Sequence, residues 1–212
     1  MIGVIRSESK RRSALLRDED PDFAYDQWLF TDEPFVNELC LVLVVAIRHQ
    51  VERELIRLAA RVTRDGKDID GKEYQQNVQK ERERLRKADG WKNLSVTLSL
   101  TSSPEWESSI ETLRLLANSY KHEPWEKPEA ALLAHVKADV SLNYASLSES
   151  HLLRERVAEC IGLPNDASYC DIAEEFLARA AKFVEDVQNT NAAKLSHVIW
   201  PPASLLPEDA ES

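Results

Sequence analysis

The stretch TDEPFVNELCLVLVVAIRHQVERELIRLAARV, residues 31–62, decides the fold class. Thr31-Asp32 offers a capping oxygen, Glu33 an acid for the positive end of a helix dipole, and Pro34 a first-turn proline, all chemistry that starts a helix. The spacing predicts one long helix over about 33 to 64. Its first half, Phe35 to Ile47, is apolar nearly all round. Its second half turns amphipathic through Val51, Leu55, Leu58, Ala59 and Val62. The first half is therefore expected in the centre of a domain. The β-branched run Val42, Val44, Val45 would suit a buried strand, yet the unbroken continuation into a helical period favours helix.

Upstream, residues 1–30 carry a basic cluster (Lys10-Arg11-Arg12), an acidic one (Asp18-Glu19-Asp20) and the aromatics Phe23, Tyr25, Trp28 and Phe30, the pattern of an arm that packs its rings onto the domain. Downstream, Asp65 to Gly71 is a turn-rich loop, and Glu73 to Asp89 is a highly charged helical stretch expected to stop at Gly90. Leu94, Val96, Leu98 and Leu100 alternate with Ser95, Thr97 and Ser99, a strand signal by period. No second segment offers a pairing partner, so an irregular stretch or a short helix is expected there. Ser102 and Glu105 form a capping-box pair for a helix to about Lys121. Residues 128–139 read as a short helix, 140–147 as a connector and 148–161 as a helix closed by Gly162. Asp166 or Ser168 then opens the last helix, to about Thr190, with Ile172, Phe176, Leu177, Ala180, Phe183 and Val184 on one face. The sum is an all-α bundle of five or six helices without significant sheet: an arm over 1–30, a single bundle domain over 31–190 and an extended tail over 191–212.

Composition narrows the chemistry by exclusion. The 212 residues, 43% hydrophobic and 30% charged, suffice for a folded domain with its own core. Only five glycines occur, and no two are placed to cradle a phosphate, which removes P-loop NTPases and dinucleotide binders of the Rossmann type. A net charge of −10 repels nucleic acid over the whole molecule, so any RNA contact must be local. Three cysteines, Cys40, Cys160 and Cys170, include no C-x-x-C pair, which argues against a disulfide framework or a zinc site and for buried thiols in a reducing cytosol. His135 and His151 fall in different helices with no carboxylate at a metal-ligand step, so no metal is expected, and no cofactor motif occurs. Met1 to Arg12 lacks a long apolar stretch, and the longest apolar run, Leu39 to Ile47, is nine residues where a membrane span needs about 20. A cytoplasmic protein with no membrane span is expected.

One segment carries chemical content. Ile110, Leu113, Leu116, Ala117 and Tyr120 make an apolar stripe, whereas Glu107, Glu111, Arg114, Asn118 and Lys121 recur on the other side of the same helix. Arg114, Asn118 and His122 step by four, each displaced by about 40° and about 6 Å from the last, and form a slanting polar row that ends at the helix terminus. In such a row a guanidinium can hold phosphoryl oxygens bidentately and an imidazole can move a proton.

With its Ala117-Asn118 and Lys121-His122 pairs, placed after a long apolar helix, the segment Leu113 to His122 resembles the HEPN superfamily of compact helical bundles. The resemblance covers about a third of the chain. Many members of that family are metal-independent endoribonucleases in toxin, antiviral and RNA-processing systems, and others are catalytically silent binding modules. The resemblance implies that Arg114 and His122 work on the RNA backbone with Asn118 as an orienter, that the product is a cyclic phosphate, and that the site assembles across a two-fold dimer. In the family pattern four to six residues separate arginine from histidine, and here seven do.

The same residues also suit an ordinary helix surface. Glu111 and Arg114 are placed for an i, i+3 ion pair, and Lys121 and His122 meet the negative end of the dipole, together worth about 0.3–1 kcal/mol. A non-catalytic interaction or scaffold module, binding a partner protein through helix 73–89 and the aromatic arm, or an antitoxin-like regulator, is the alternative. Glu52, near Arg48, His49 and Arg53, is a further candidate as an acid that holds Arg114 from a neighbouring helix. The mixed-charge run Lys80 to Lys87 reads as a salt-laced solvated face or a phosphate contact.

Overall fold

The long apolar stretch forms a single continuous helix, α1 (Glu33–Ala59), with Glu33 in its first turn and Arg57 in its last, matched to the dipole. In this computed structural model the described residues are 33–62, 67–122, 130–137 and 151–199, with 3, 4, 7, 8, 11 and 14 near the N-terminus. The aromatics of the expected arm, the Thr31-Asp32 cap, the connector 140–147 and residues 200–212 lie outside them. Among the described residues the elements after α1 are β1 (Ile69–Asp70), α2 (Gly71–Leu85), α3 (Gly90–Leu98), α4 (Glu111–His122), α5 (Ala130–His135), α6 (His151–Cys160), α7 (Tyr169–Thr190) and β2 (Val198–Ile199). The fold is mostly all-α, with only a two-stranded sheet beside the helices.

The chain divides into two compact units, one of residues 1–50 and 104–182, the other of residues 51–103 and 183–212. The backbones of α1 and α7 each run from one unit into the other.

In the first unit α1 buries Cys40, Leu41, Val44 and Ile47, positions i, i+1, i+4 and i+7 of one face. Phe35 and Val42 are 59% and 51% exposed. The expectation that this half is buried all round is thus corrected: neighbours cover one side of it. The opposing core comes from Leu113 and Leu116 of α4, Leu132 of α5, Leu153 and Val157 of α6, and Tyr169, Ile172 and Phe176 of α7. Helix ends follow their residues. Gly162 closes α6 at φ +76°, with its N–H on the Glu159 carbonyl at 3.0 Å and that of Leu163 on Ala158 at 2.8 Å, a Schellman motif that only glycine enters without strain. Ser168 opens α7 as one half of a capping box: its Oγ accepts from the Asp171 N–H at 3.2 Å while Asp171 Oδ2 accepts from the Ser168 N–H at 2.8 Å. Leu177 was expected on the inner face and is 55% exposed, because one residue past Phe176 is a rotation of about 100° out of the stripe.

In the second unit the strand-like alternation of residues 94–100 resolves as a short helix and a 3₁₀ turn (Leu100–Ser102). Leu94 and Leu98, four apart, are buried, while Val96 is exposed. Asp70 caps α2 by accepting from the Glu73 N–H at 2.8 Å. That helix ends at Leu85, so Gly90 does not stop it as expected but starts α3. The chain turns so tightly between the two that a Cβ on Gly90 would stand 2.5 Å from Leu85 Cα. Gly90→Ala is accordingly expected to destabilise by about 1–3 kcal/mol, read as a lower denaturant midpoint. Of the expected tail, residues 192–199 are built into this unit. After the 3₁₀ turn Ala192–Lys194, Leu195 bridges Val62 and β2 pairs parallel with β1, Val198 beside Ile69. Arg61 Nε donates to the Ser196 carbonyl at 3.0 Å, and the buried Asn191 amide donates to the Leu98 carbonyl at 2.9 Å.

Candidate functional site

A helical segment of π geometry, Trp106–Ile110, leads without a break into α4, so the capping box expected at Ser102 does not form; that hydroxyl donates to the Ser99 carbonyl at 2.6 Å. Ser109, inside the π segment and fully buried, accepts from Arg179 Nη1 of α7 at 2.8 Å, and Arg179 Nε donates to Glu175. Lys182 Nζ donates to Glu105 Oε1 at 2.8 Å. These contacts tie α7 to the turn that aims α4. A π turn shifts the register of every following side chain by about one residue, which makes the tie consequential for the row that follows.

Helix α4 is buried over most of its circumference: Thr112, Leu113, Leu115, Leu116, Ala117 and Ser119 are all sealed. The positions left part-open or open are Glu111, Arg114, Asn118, Tyr120 and Lys121. Arg114 and Asn118 thus lie one turn apart on one open face, as their spacing requires. His122 is the last residue of α4, and its side chain lies outside the described residues.

Arg114 Nε donates to Glu111 Oε2 at 2.8 Å and Nη2 to Oε1 at 2.7 Å, a bidentate pair about a quarter exposed on each side. An acid on Arg114 is thus supplied by its own helix. An i, i+3 pair at this exposure is worth about 0.2–1 kcal/mol. The clamp fixes the orientation of the guanidinium beside the Glu111 carboxylate. The Lys80–Lys87 run is a salt-laced exposed face, with Arg84 on Glu81 at 2.7 Å.

Near the end of α4 the Tyr120 hydroxyl donates to Glu38 Oε2 of α1 at 2.5 Å. Burial pushes the phenol well above its ordinary value, and the hydrogen bond and negative charge of Glu38 push the same way. The unfolded chain ionises this phenol near pH 10 while the folded one keeps it neutral, so its contribution is intact below about pH 10 and is lost as pH rises past it. Ultraviolet titration is expected to show a late step of tyrosine ionisation that comes only with alkaline unfolding, and Tyr120→Phe is expected to lower that step by one phenol.

Two clusters escape sequence reasoning because their members are far apart along the chain. The buried Thr112 hydroxyl lies 2.9 Å from His135 Nε2 and 3.4 Å from Cys160 Sγ, joining α4, α5 and α6. Cys40 and Cys170 meet in the core of the first unit. No period or motif marks either cluster. Among the described residues no group of three or more His, Cys, Asp or Glu is placed to hold a metal ion, and no helix is long and apolar enough to cross a membrane. Compared with protein-family models, with curated proteins and with solved structures, the chain matches none.

Proposed function

We propose that this chain is a HEPN-like helical domain that engages RNA phosphodiesters through Arg114, Asn118 and His122 and cleaves them without a metal ion. The observation that carries the reading is that α4, with Thr112, Leu113, Leu115, Leu116, Ala117 and Ser119 sealed, keeps Glu111, Arg114 and Asn118 part-exposed on one side. In the reaction the Arg114 fork holds the phosphoryl oxygens, and His122 moves the proton as the ribose 2'-hydroxyl attacks phosphorus and the 5'-oxygen leaves. The products are a 2',3'-cyclic phosphate and a 5'-hydroxyl end. A two-fold dimer inside the cell, in a defence, toxin or RNA-processing setting, is the context that this reading implies. The test is incubation of the purified chain with RNA in EDTA: cyclic-phosphate ends are expected from the native chain and not from Arg114→Ala, and equal cleavage by both overturns the assignment.

The Glu111 clamp favours a second reading, a non-catalytic interaction module in which Arg114 serves the helix alone. It predicts a stable complex with a partner protein and no turnover of RNA under any condition.

A further inference from the structure

Cys40 sits on the buried face of α1 and Cys170 in the first turn of α7, 130 positions later, and their sulfurs lie 2.6 Å apart. Neither is in a disulfide. A disulfide needs about 2.05 Å between sulfurs, so the two stand within about 0.6 Å of bonding distance. Leu41, Tyr169 and Ile172, their neighbours on the same two helices, are completely buried, and two reactive groups held so closely have an effective concentration far above any solution value. Cys160, half-buried beside the Thr112 hydroxyl at 3.4 Å, is the third thiol and has no role in the pair.

We infer that Cys40 and Cys170 are the site of a reversible intrachain disulfide, formed by a small peroxide and locking α1 to α7 within the first unit. Cys170 is 4% exposed against 0% for Cys40, so the oxidant reaches it first. Its thiolate attacks one peroxide oxygen, the O–O bond breaks, and hydroxide leaves to take up the thiol's proton as water; Cys170 is now a sulfenic acid. The Cys40 sulfur then attacks that sulfur, the S–S bond forms and the S–O bond breaks, and the oxygen departs as a second water with the remaining protons. Two thiols have lost two electrons, and one hydrogen peroxide has become two waters. A dithiol reductant reverses the bond by exchange. Because the bond closes a loop of about 130 residues, it constrains the unfolded chain strongly, and the melting temperature of the oxidised form is expected to rise by roughly 10 °C.

The experiment uses the full reduced chain. It is treated with hydrogen peroxide, quenched, unfolded, alkylated and mapped by peptide mass without reductant. The expected result is a linked pair of peptides carrying Cys40 and Cys170, two hydrogens lighter than their sum, with one alkylated thiol at Cys160 and three after reduction. Three alkylated thiols, a link through Cys160, or isolated sulfinic acid at Cys40 or Cys170 overturns the proposal. Cys160→Ala is expected to keep the link and the thermal shift, and Cys40→Ala to lose both; should Cys40→Ala fail to fold, the map of the native chain decides alone.

Discussion

Phe176→Ala is expected to destabilise the chain by about 3–5 kcal/mol, a fifth or more of the roughly 5–15 kcal/mol that holds an ordinary domain together. The ring is fully buried on the inner face of α7, in line with Ile172, Ala173 and Ala180. Removing it forfeits the transfer energy of a phenyl group and leaves a cavity that the surrounding core closes only in part. The check is denaturant unfolding, where the midpoint falls and the slope is unchanged. The informative partner is Leu177→Ala. Periodicity places Leu177 on the same face, yet it is 55% exposed, so its loss is expected within about 0.5 kcal/mol. Equal costs at the two adjacent positions would overturn the orientation of α7.

If the chain is the nuclease proposed above, His122→Ala is expected to lower RNA cleavage in EDTA by about 10²–10⁴, the usual contribution of a group that moves a proton in the transition state. The change sits at the last residue of α4, so the helix core built on Leu113 and Leu116 is untouched and the circular dichroism spectrum is expected to stay native. Arg114→Lys separates charge from geometry: a point charge keeps part of the attraction and loses the two-pronged grip, so cleavage is expected to fall between that of the native chain and that of Arg114→Ala. Cleavage in EDTA unaltered by His122→Ala sinks the catalytic assignment of that residue. Absence of cleavage by the native chain leaves the interaction module in its place.

Helices were legible where local rules suffice. The apolar length of α1, the glycine after α6 and the Ser168 cap of α7 each act within a few residues, and each appears where its residues foretell. The α4 row was legible for the same reason, since steps of three and four put Glu111, Arg114 and Asn118 on one side of any helix. Misreadings arose where a second element decides. Gly90 looks like a helix terminator by composition, but its lack of a Cβ serves the close turn between α2 and α3. Phe35, Val42 and Leu177 look like core by hydropathy, but a helix covered on one side leaves apolar residues in water.

What the residues determine alone is an all-α chain, the approximate reach of its helices and the placing of Glu111, Arg114 and Asn118 on one side of one helix. Tertiary structure decided the division into two units, the strand pairing of Val198 and Ile199, the Glu111 clamp's part-buried setting and the meeting of Cys40 with Cys170. The physical reason is range. Helix propensity, capping and amphipathic period are summed over neighbours four residues away or fewer, whereas a contact across 130 positions depends on how whole helices pack, and no local pattern encodes that.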